Sequence, residues 1–165
     1  MTDMKKILAT YFIALVLFGC KPDSFKPVGE RTDYVSQMAG NYKLTKVIQS
    51  DVKAVKNNYP YKTLDLTSSL SFTDFEMTLN PATNAKGTFT TKPGNAPMII
   101  RLASGNWTVD NQDAPKMMYF INGTDSVKME MGSYTSLRNN QLSLRVVRTL
   151  DGKPVIYYDY QFTKK

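Results

Sequence analysis

Apolar and polar residues alternate with a period of two over most of the chain after residue 39, in short runs separated by turn residues. Such runs predict β-strands that bury one face. The predicted strands cover residues 40–48, 64–79 with a change of register at Thr73-Asp74, 87–91, 98–102, 104–109, 117–121, 127–131, 142–150 and 155–162. No run after residue 39 suits a helix of three turns, so the pattern indicates an all-β domain of eight or nine strands.

The turn residues predict how these strands connect. Asn122-Gly123 is the strongest signal, because both residues tolerate positive φ and favour a tight hairpin. Asp151-Gly152-Lys153-Pro154 predicts a second hairpin between the last two strands. Since all connections look short, an up-and-down meander is more economical than a Greek key, and closure into a barrel removes its exposed edges. We therefore predict a single antiparallel up-and-down β-barrel, with a β-sandwich as the alternative.

A different pattern marks the N-terminus. Lys5 and Lys6 precede an apolar run over residues 7–18, which is too short to span a bilayer and is typical of a signal peptide. The run ends in Leu17-Phe18-Gly19-Cys20, which resembles the bacterial lipobox. The resemblance implies cleavage before Cys20 and acylation of its side chain and its amino group.

These features divide the chain into three parts. We expect a signal peptide over residues 1–19, a flexible tether with lipidated Cys20 over residues 20–38, and the β domain over residues 39–165. Two or more acyl chains hold a protein stably, so the expected location is the bacterial outer membrane, with either a periplasmic or a surface orientation. An uncleaved apolar leader is the alternative interpretation.

Composition narrows the possible chemistry. The chain has no histidine and a single cysteine, which removes the commonest general base, the commonest transition-metal ligand and any internal disulfide. Its 21 Lys and Arg against 14 Asp and Glu give a net charge of +7, which favours anionic neighbours such as lipid head groups or acidic glycans. Nucleic acid is not expected in the cell envelope. We predict no enzyme activity, no catalytic residues, no metal site and no cofactor.

Two short motifs have simpler explanations than chemistry. Ser50-Asp51-Val52-Lys53 matches the serine-x-x-lysine pattern of penicillin-recognising acyl enzymes, but it ends a strand and has no partner motif. Asp110-Asn111-Gln112-Asp113 offers oxygen ligands for calcium, but it lacks the glycine and the terminal glutamate of an EF-hand loop. We interpret them as a strand end and a turn.

Two strand starts carry a family resemblance. Gly40-Asn41-Tyr42 and Gly105-Asn106-Trp107 each place an aromatic residue two positions after a glycine. Together with the lipobox, they resemble the lipocalin-like lipoproteins of unknown function that are common in Bacteroidetes. The resemblance covers residues 40–165 and implies a closed barrel. Tyr42 stands where lipocalins usually carry tryptophan, which leaves the ligand class open.

Aromatic and methionine side chains supply the candidate binding residues. The last strand presents one face made of Ile156, Tyr158, Tyr160 and Phe162, and its neighbours carry Met117, Met129 and Met131. In one hypothesis the barrel holds a small apolar or amphiphilic ligand, with Trp107, Met117, Met129, Tyr158 and Tyr160 lining the site. In the other, these side chains fill the barrel and its outer face docks an envelope protein. A cavity above about 300 Å³ lined by them favours the first hypothesis, and a packed interior favours the second.

The positions of two arginine side chains on the penultimate strand have two possible interpretations. Arg145 and Arg148 either plug the barrel against Tyr42 or Trp107, or extend into solvent.

Overall fold

The structure is a computed structural model that describes residues 33–81 and 86–165. The predicted signal peptide, Cys20 and the first part of the predicted tether lie outside the described residues. In chain order the elements are α1 (Tyr34–Gln37), β1 (Gly40–Asp51), α2 (Val52–Lys56), β2 (Thr63–Asp65), β3 (Glu76–Leu79), β4 (Lys86–Lys92), β5 (Ser104–Val109), β6 (Met117–Asn122), β7 (Asp125–Met131), β8 (Gln141–Leu150) and β9 (Lys153–Lys164), with 3-10 helices at Phe72–Asp74 and Tyr134–Asn139. The all-β prediction is confirmed.

Eight of the strands, β1 and β3 to β9, form a closed antiparallel barrel in chain order. β1 and β9 close it by pairing from Tyr42↔Lys164 to Asp51↔Ile156. The ninth strand, β2, lies outside this ring and pairs with the second half of β1. The predicted up-and-down barrel is therefore confirmed, and the sandwich alternative is wrong because closure leaves one continuous sheet.

A β-bulge in β1 changes which residues face the core. The pairing of β1 with β9 shifts by one residue at Thr45. Before the bulge, Tyr42 and Leu44 are buried; after it, Val47 is buried and Ile48 is only half-buried. A regular alternation over residues 40–48 would place Ile48 on the buried face of Tyr42 and Leu44, but the one extra residue turns every later side chain to the other face.

The connections gather at two ends because neighbouring strands run in opposite directions. We call the end with α1 and the 3-10 helix Tyr134–Asn139 the cap end. The rim end carries the loop of residues 93–103, the β6–β7 turn and the β8–β9 turn. The predicted hairpin at Asn122-Gly123 is confirmed, since Asn122 pairs with Asp125 across a two-residue turn in which Gly123 has a φ of 59°.

Side chains from α1 and from the segment after it cover the cap end. Met38 is fully buried, and its carbonyl oxygen accepts a hydrogen bond from the Tyr42 hydroxyl at 2.9 Å. The Tyr34 and Tyr134 rings pack edge to face, with centroids 4.6 Å apart. These contacts separate the core from solvent at this end.

The loop of residues 93–103 departs from the sequence prediction. Residues 98–102, expected as a strand, form an irregular loop in which Ile99 and Ile100 are buried and Met98 is 67% exposed. A short apolar run does not distinguish a strand from a loop that places a few side chains in the core. This loop covers part of the rim end.

The segment between β1 and β3 also differs from its predicted pattern. Leu64 and Leu70 are exposed, whereas Phe72, expected on the same face, is buried. Turns and a 3-10 helix separate β2 from β3, so no single alternation runs through the segment. Residues 52–56, which lie outside the predicted strands, form α2, and the Asp51 carboxylate caps this helix by accepting a hydrogen bond from the Ala54 backbone N–H at 2.7 Å.

Buried tyrosine hydroxyls predict a loss of stability in alkali. Burial raises the pKa of Tyr42 to about 12. Since the unfolded chain titrates near pH 10, this contribution to stability is complete below that pH and is lost as the pH rises towards about 12. We expect Tyr42→Phe to cost about 1 kcal/mol at neutral pH through the lost hydrogen bond. The variant should then lose less of its remaining stability by about pH 11 than the unmodified protein does.

Denaturant unfolding at several pH values measures this effect, with Tyr61→Phe as the control because Tyr61 is 95% exposed. An equal alkaline loss in all three proteins would contradict the prediction.

Candidate functional site

The interior of the barrel is filled by large side chains. The largest fully buried ones are Trp107, Tyr42, Phe75, Phe89, Phe120, Phe162, Met38, Leu44, Met77, Leu79, Met118 and Met129. The rings of Phe89 and Phe120 lie 5.0 Å apart in edge-to-face geometry, and those of Phe75 and Phe162 lie 6.1 Å apart. Aromatic rings thus occupy the space in which a ligand enclosed by the barrel would lie.

Trp107 is one of these core residues. It is 0% exposed, and its indole Nε1 donates a hydrogen bond to the Asn80 carbonyl oxygen at 3.1 Å. The indole is thus enclosed in the core, and its N–H has a hydrogen-bond partner. The side chain lies over Gly87, where an added Cβ would come within 2.6 Å of the Asn80 carbonyl oxygen and would also meet Nε1. Only glycine leaves room for the indole at this pairing of β4 with β5.

The two candidate tyrosines lie on the inner face of β9, as predicted. Tyr160 is buried, and Tyr158, two residues nearer the rim end, is half-buried. Burial raises the pKa of Tyr160 to about 12, the charge of Tyr158 adds to the rise, and Arg148 opposes it.

The candidate methionines do not share one face. Met129 is fully buried and pairs with Met118, which is also fully buried. Met117 pairs with Glu130 and is half-buried on the opposite face of β6. The expectation that Met117 and Met129 face the same space is wrong, because two methionines are adjacent on β6 and Met118 is the one directed inward.

The barrel wall is weakest between β7 and β8. These strands pair at only two positions, Glu130↔Arg145 and Met131↔Leu144, whereas β6 and β7 pair at six and β8 and β9 at ten. Towards the rim end, the facing edges of β7 and β8 therefore separate. Unpaired strand edges leave backbone N–H and C=O groups available to water or to a ligand.

A cleft of about 320 Å³ opens at this separation. We call it the seam cleft; it is lined by Met98, Ile99, Arg101, Ser126, Val127, Lys128, Val146 and Arg148. A neighbouring cleft of about 280 Å³ shares Arg101, Ser126 and Val127 and adds Leu102 and Asp125. The seam cleft reaches the lower end of the size range of small-molecule sites. Its lining combines apolar side chains with three cations.

The cations of the seam cleft are exposed and unpaired. Arg101, Lys128 and Arg148 form no ion pair with any residue in the ranges 33–81 and 86–165. Arg145, on the outer face of β8, differs: its Nε and Nη2 donate to the two carboxylate oxygens of Asp159 at 2.6 and 3.1 Å, and its guanidinium lies over the Tyr157 ring. Arg148 is exposed, as in the solvent alternative, whereas Arg145 is half-buried against Asp159 and Tyr157, so neither arginine plugs the core.

Most of the seam cleft could not be found from the sequence. Ile99 and Arg101 belong to the loop that was expected to be a strand. Val127 and Lys128 belong to a predicted strand, but its alternation does not reveal that it separates from β8. Arg148 was singled out, but not as part of a cleft. The sequence signal for this part of the cleft was the mostly apolar segment of residues 96–102, which lies between two turns and suits a loop folded onto the core.

The two motifs that resembled chemistry have structural roles. Ser50 lies in β1 one residue before its end at Asp51, and Lys53 lies in α2. The Asp110 carboxylate accepts hydrogen bonds from the backbone N–H groups of Lys116 and Met117 at 2.9 and 3.0 Å, which organises the β5–β6 turn. Within residues 33–81 and 86–165, no group of three potential side-chain ligands is placed to hold a metal ion.

Comparison with known protein families identifies the family of this chain. The chain matches the family model described as a domain of unknown function, DUF5004, over residues 20–163. The chain belongs to this family. No curated protein matches the chain. The helices of the two described ranges include none that is long and apolar enough to cross a membrane.

The contact between Gly87 and Trp107 gives a test of the filled core of this DUF5004 barrel. We expect Gly87→Ala to lower the free energy of unfolding by about 1–3 kcal/mol, because the new methyl group collides with the indole and with a backbone oxygen. Chemical denaturation followed by Trp107 fluorescence measures the loss. The neighbouring exposed residue provides the control, Lys86→Ala, which should change stability by less than about 0.5 kcal/mol. Equal stabilities for the two variants would show that the core tolerates the methyl group.

Proposed function

We propose that this protein is a lipid-anchored envelope protein whose barrel binds a small amphiphilic molecule at the seam cleft. The observation that carries the proposal is the opening between β7 and β8, where apolar side chains and cations line a space of about 320 Å³. The site differs from the one expected in the barrel interior, because that interior is filled by its own side chains.

The size and composition of the cleft suit an amphiphile. Ile99 is buried at its base, and Val127 and Val146 are half-buried on the two strand edges. These side chains can cover an alkyl chain, while the exposed charges at the opening contact a polar head group. Ligand sites typically combine apolar walls with a few polar groups in this way.

The anchor rests on the N-terminal sequence and on the extent of the family match. Leu17-Phe18-Gly19-Cys20 resembles a lipobox, and the DUF5004 match begins at Cys20, the expected first residue of the mature chain. Both observations support an outer-membrane lipoprotein of the lipocalin-like kind common in Bacteroidetes. We propose a binding role without catalysis, since the sequence has no histidine and its one serine-x-x-lysine motif spans a strand end and a helix.

Docking of an envelope protein is the second candidate function. It is supported by the filled core and by exposed apolar side chains around β2, namely Val55, Tyr59, Tyr61, Leu64 and Leu70. Large apolar side chains that cluster on a surface often mark an interaction site. The seam cleft favours the small ligand, because one concave site combines apolar side chains with cations and can contact both parts of an amphiphile.

The anchor can be tested by replacing its cysteine. We expect Cys20→Ala to abolish acylation and to move the protein out of the outer-membrane fraction, because the thiol that carries the first lipid is lost. Metabolic labelling with palmitate and membrane fractionation measure both effects. The matched control, Ser24→Ala, lies four residues beyond and should keep the label. Palmitate incorporation that persists in Cys20→Ala would contradict the anchor.

Blocking the seam cleft tests the binding site. We expect Ser126→Trp to weaken the binding of decyl-chain amphiphiles by more than about tenfold, because the indole occupies a cleft whose exposed wall includes Ser126. Equilibrium binding of radiolabelled ligand to the acylated full chain in nanodiscs of neutral phosphatidylcholine, with empty discs subtracted, measures the change.

The control is Gln141→Trp, which adds the same side chain at an exposed position on the cap end of β8. Equal binding by both variants would place the ligand elsewhere. Absence of saturable binding in the unmodified protein would overturn the ligand-binding function and favour docking.

A further inference from the structure

We infer that the seam cleft selects ligands with an anionic head group, a carboxylate or a phosphate monoester, through Arg101, Lys128 and Arg148. This inference rests on the proposed binding function and adds the chemical class of the ligand. Its physical basis is the combination in one cleft of apolar side chains that are buried or half-buried with three cations that are exposed.

The charge at the opening has one sign. The eight residues that line the seam cleft include three cations and no carboxylate. The neighbouring cleft, which shares three of these residues, has one acidic residue in its lining, Asp125. Within the described ranges, Arg145 and Lys165 are paired with Asp159 and Glu76, respectively, whereas the three cleft cations are not. An incoming anion therefore does not have to displace a protein carboxylate.

Arg148 has the best position for contacting a head group. It follows Leu144 and Val146 on the inward-facing row of β8 and pairs with Ile156. The β8–β9 register shifts immediately after it, between Arg148 and Thr149. Bulges at the rims of barrels redirect side chains. Along this row, Leu144 is buried, Val146 is half-buried and Arg148 is exposed. An amphiphile that lies along the row could place its apolar tail near the valine and its charged head near the arginine.

The chemistry of the cations favours oxyanions. Each guanidinium presents parallel N–H donors that match the two oxygens of a carboxylate or a phosphate. Lys128 adds a point charge from the β7 side of the opening. Contacts at an exposed opening are individually weak and are screened by salt. Selectivity should therefore come from several cations acting together.

The experiment compares ligands that share one alkyl chain. Decanoate, decyl phosphate and decanol are titrated into the acylated full chain in nanodiscs of neutral phosphatidylcholine, with empty discs subtracted. We expect the two anions to bind about tenfold more tightly than decanol, and we expect high salt to weaken only the anions. Acetate, which has the head group without the chain, should not compete.

Substitution of charged residues tests which side chains cause the preference for anionic ligands. Arg101→Gln with Arg148→Gln should reduce decanoate affinity about tenfold, to the level of decanol, because it removes two of the three cations. The control pair, Lys46→Gln with Lys116→Gln, removes the same charge at exposed positions away from the cleft and should change affinity less than about twofold. Asp125→Asn should tighten decanoate binding, since it removes the neighbouring negative charge. Trp107 emission reports whether each variant keeps its core.

The outcomes separate the two proposals. Equal, salt-independent binding of decanoate and decanol would overturn the anion inference and leave the amphiphile site intact. Absence of binding by all three ligands would overturn both. Loss of decanoate binding when the discs contain phosphatidic acid, which carries a phosphate monoester, would identify a membrane lipid as the source of the anionic head group, and retained binding would identify a free amphiphile.

Discussion

The pairing of β1 with β9 joins the first strand of the barrel to the last and spans nine positions, from Tyr42↔Lys164 to Asp51↔Ile156. This closure leaves neither of the two longest strands with an open edge along the ring. It also fixes which side chains enter the core, because strand register determines the face of every residue. A closed ring of eight strands encloses a narrow space that side chains alone can fill. The filled core thus follows from strand number together with the large aromatic residues that point inward.

Two irregularities adapt this closed sheet at its rim. The bulge at Thr45 keeps β1 in register with β9 while it turns Val47 inward, and the shift after Arg148 ends the apolar row of β8 with a cation. The short pairing of β7 with β8 then opens the wall beside that cation. Bulges and weakly paired edges are common where a barrel needs a site, because they expose backbone and redirect side chains without loss of closure. The same sheet therefore encloses the core and forms the walls of the seam cleft.

Local patterns in the sequence were sufficient for the class of fold and for the hairpin at Asn122-Gly123, since alternation and turn chemistry act over a few residues. They were insufficient wherever the outcome depends on distant contacts. The bulge at Thr45 is determined by the match of β1 to a strand more than 100 residues later. Met117 and Met118 are equally apolar, and only the pairing of β6 with β7 decides that Met118 enters the core. The seam cleft joins a loop to two later strands, a combination that no single segment encodes.

Because the barrel is filled and its opening is charged, selectivity for the proposed ligand would depend on the residues at the opening and not on the shape of an internal cavity. An enclosed cavity selects by shape, and each empty cavity costs stability because its walls lose packing contacts. Here the core keeps its full packing, with Trp107 hydrogen-bonded to Asn80, and the residues proposed to recognise a ligand lie at the rim. Exposed Arg101, Lys128 and Arg148 contribute little to folding, so substitutions at these positions would change the proposed selectivity with little change in stability. Separation of the packed core from the binding edge lets one barrel retain its fold while the chemistry of its opening varies.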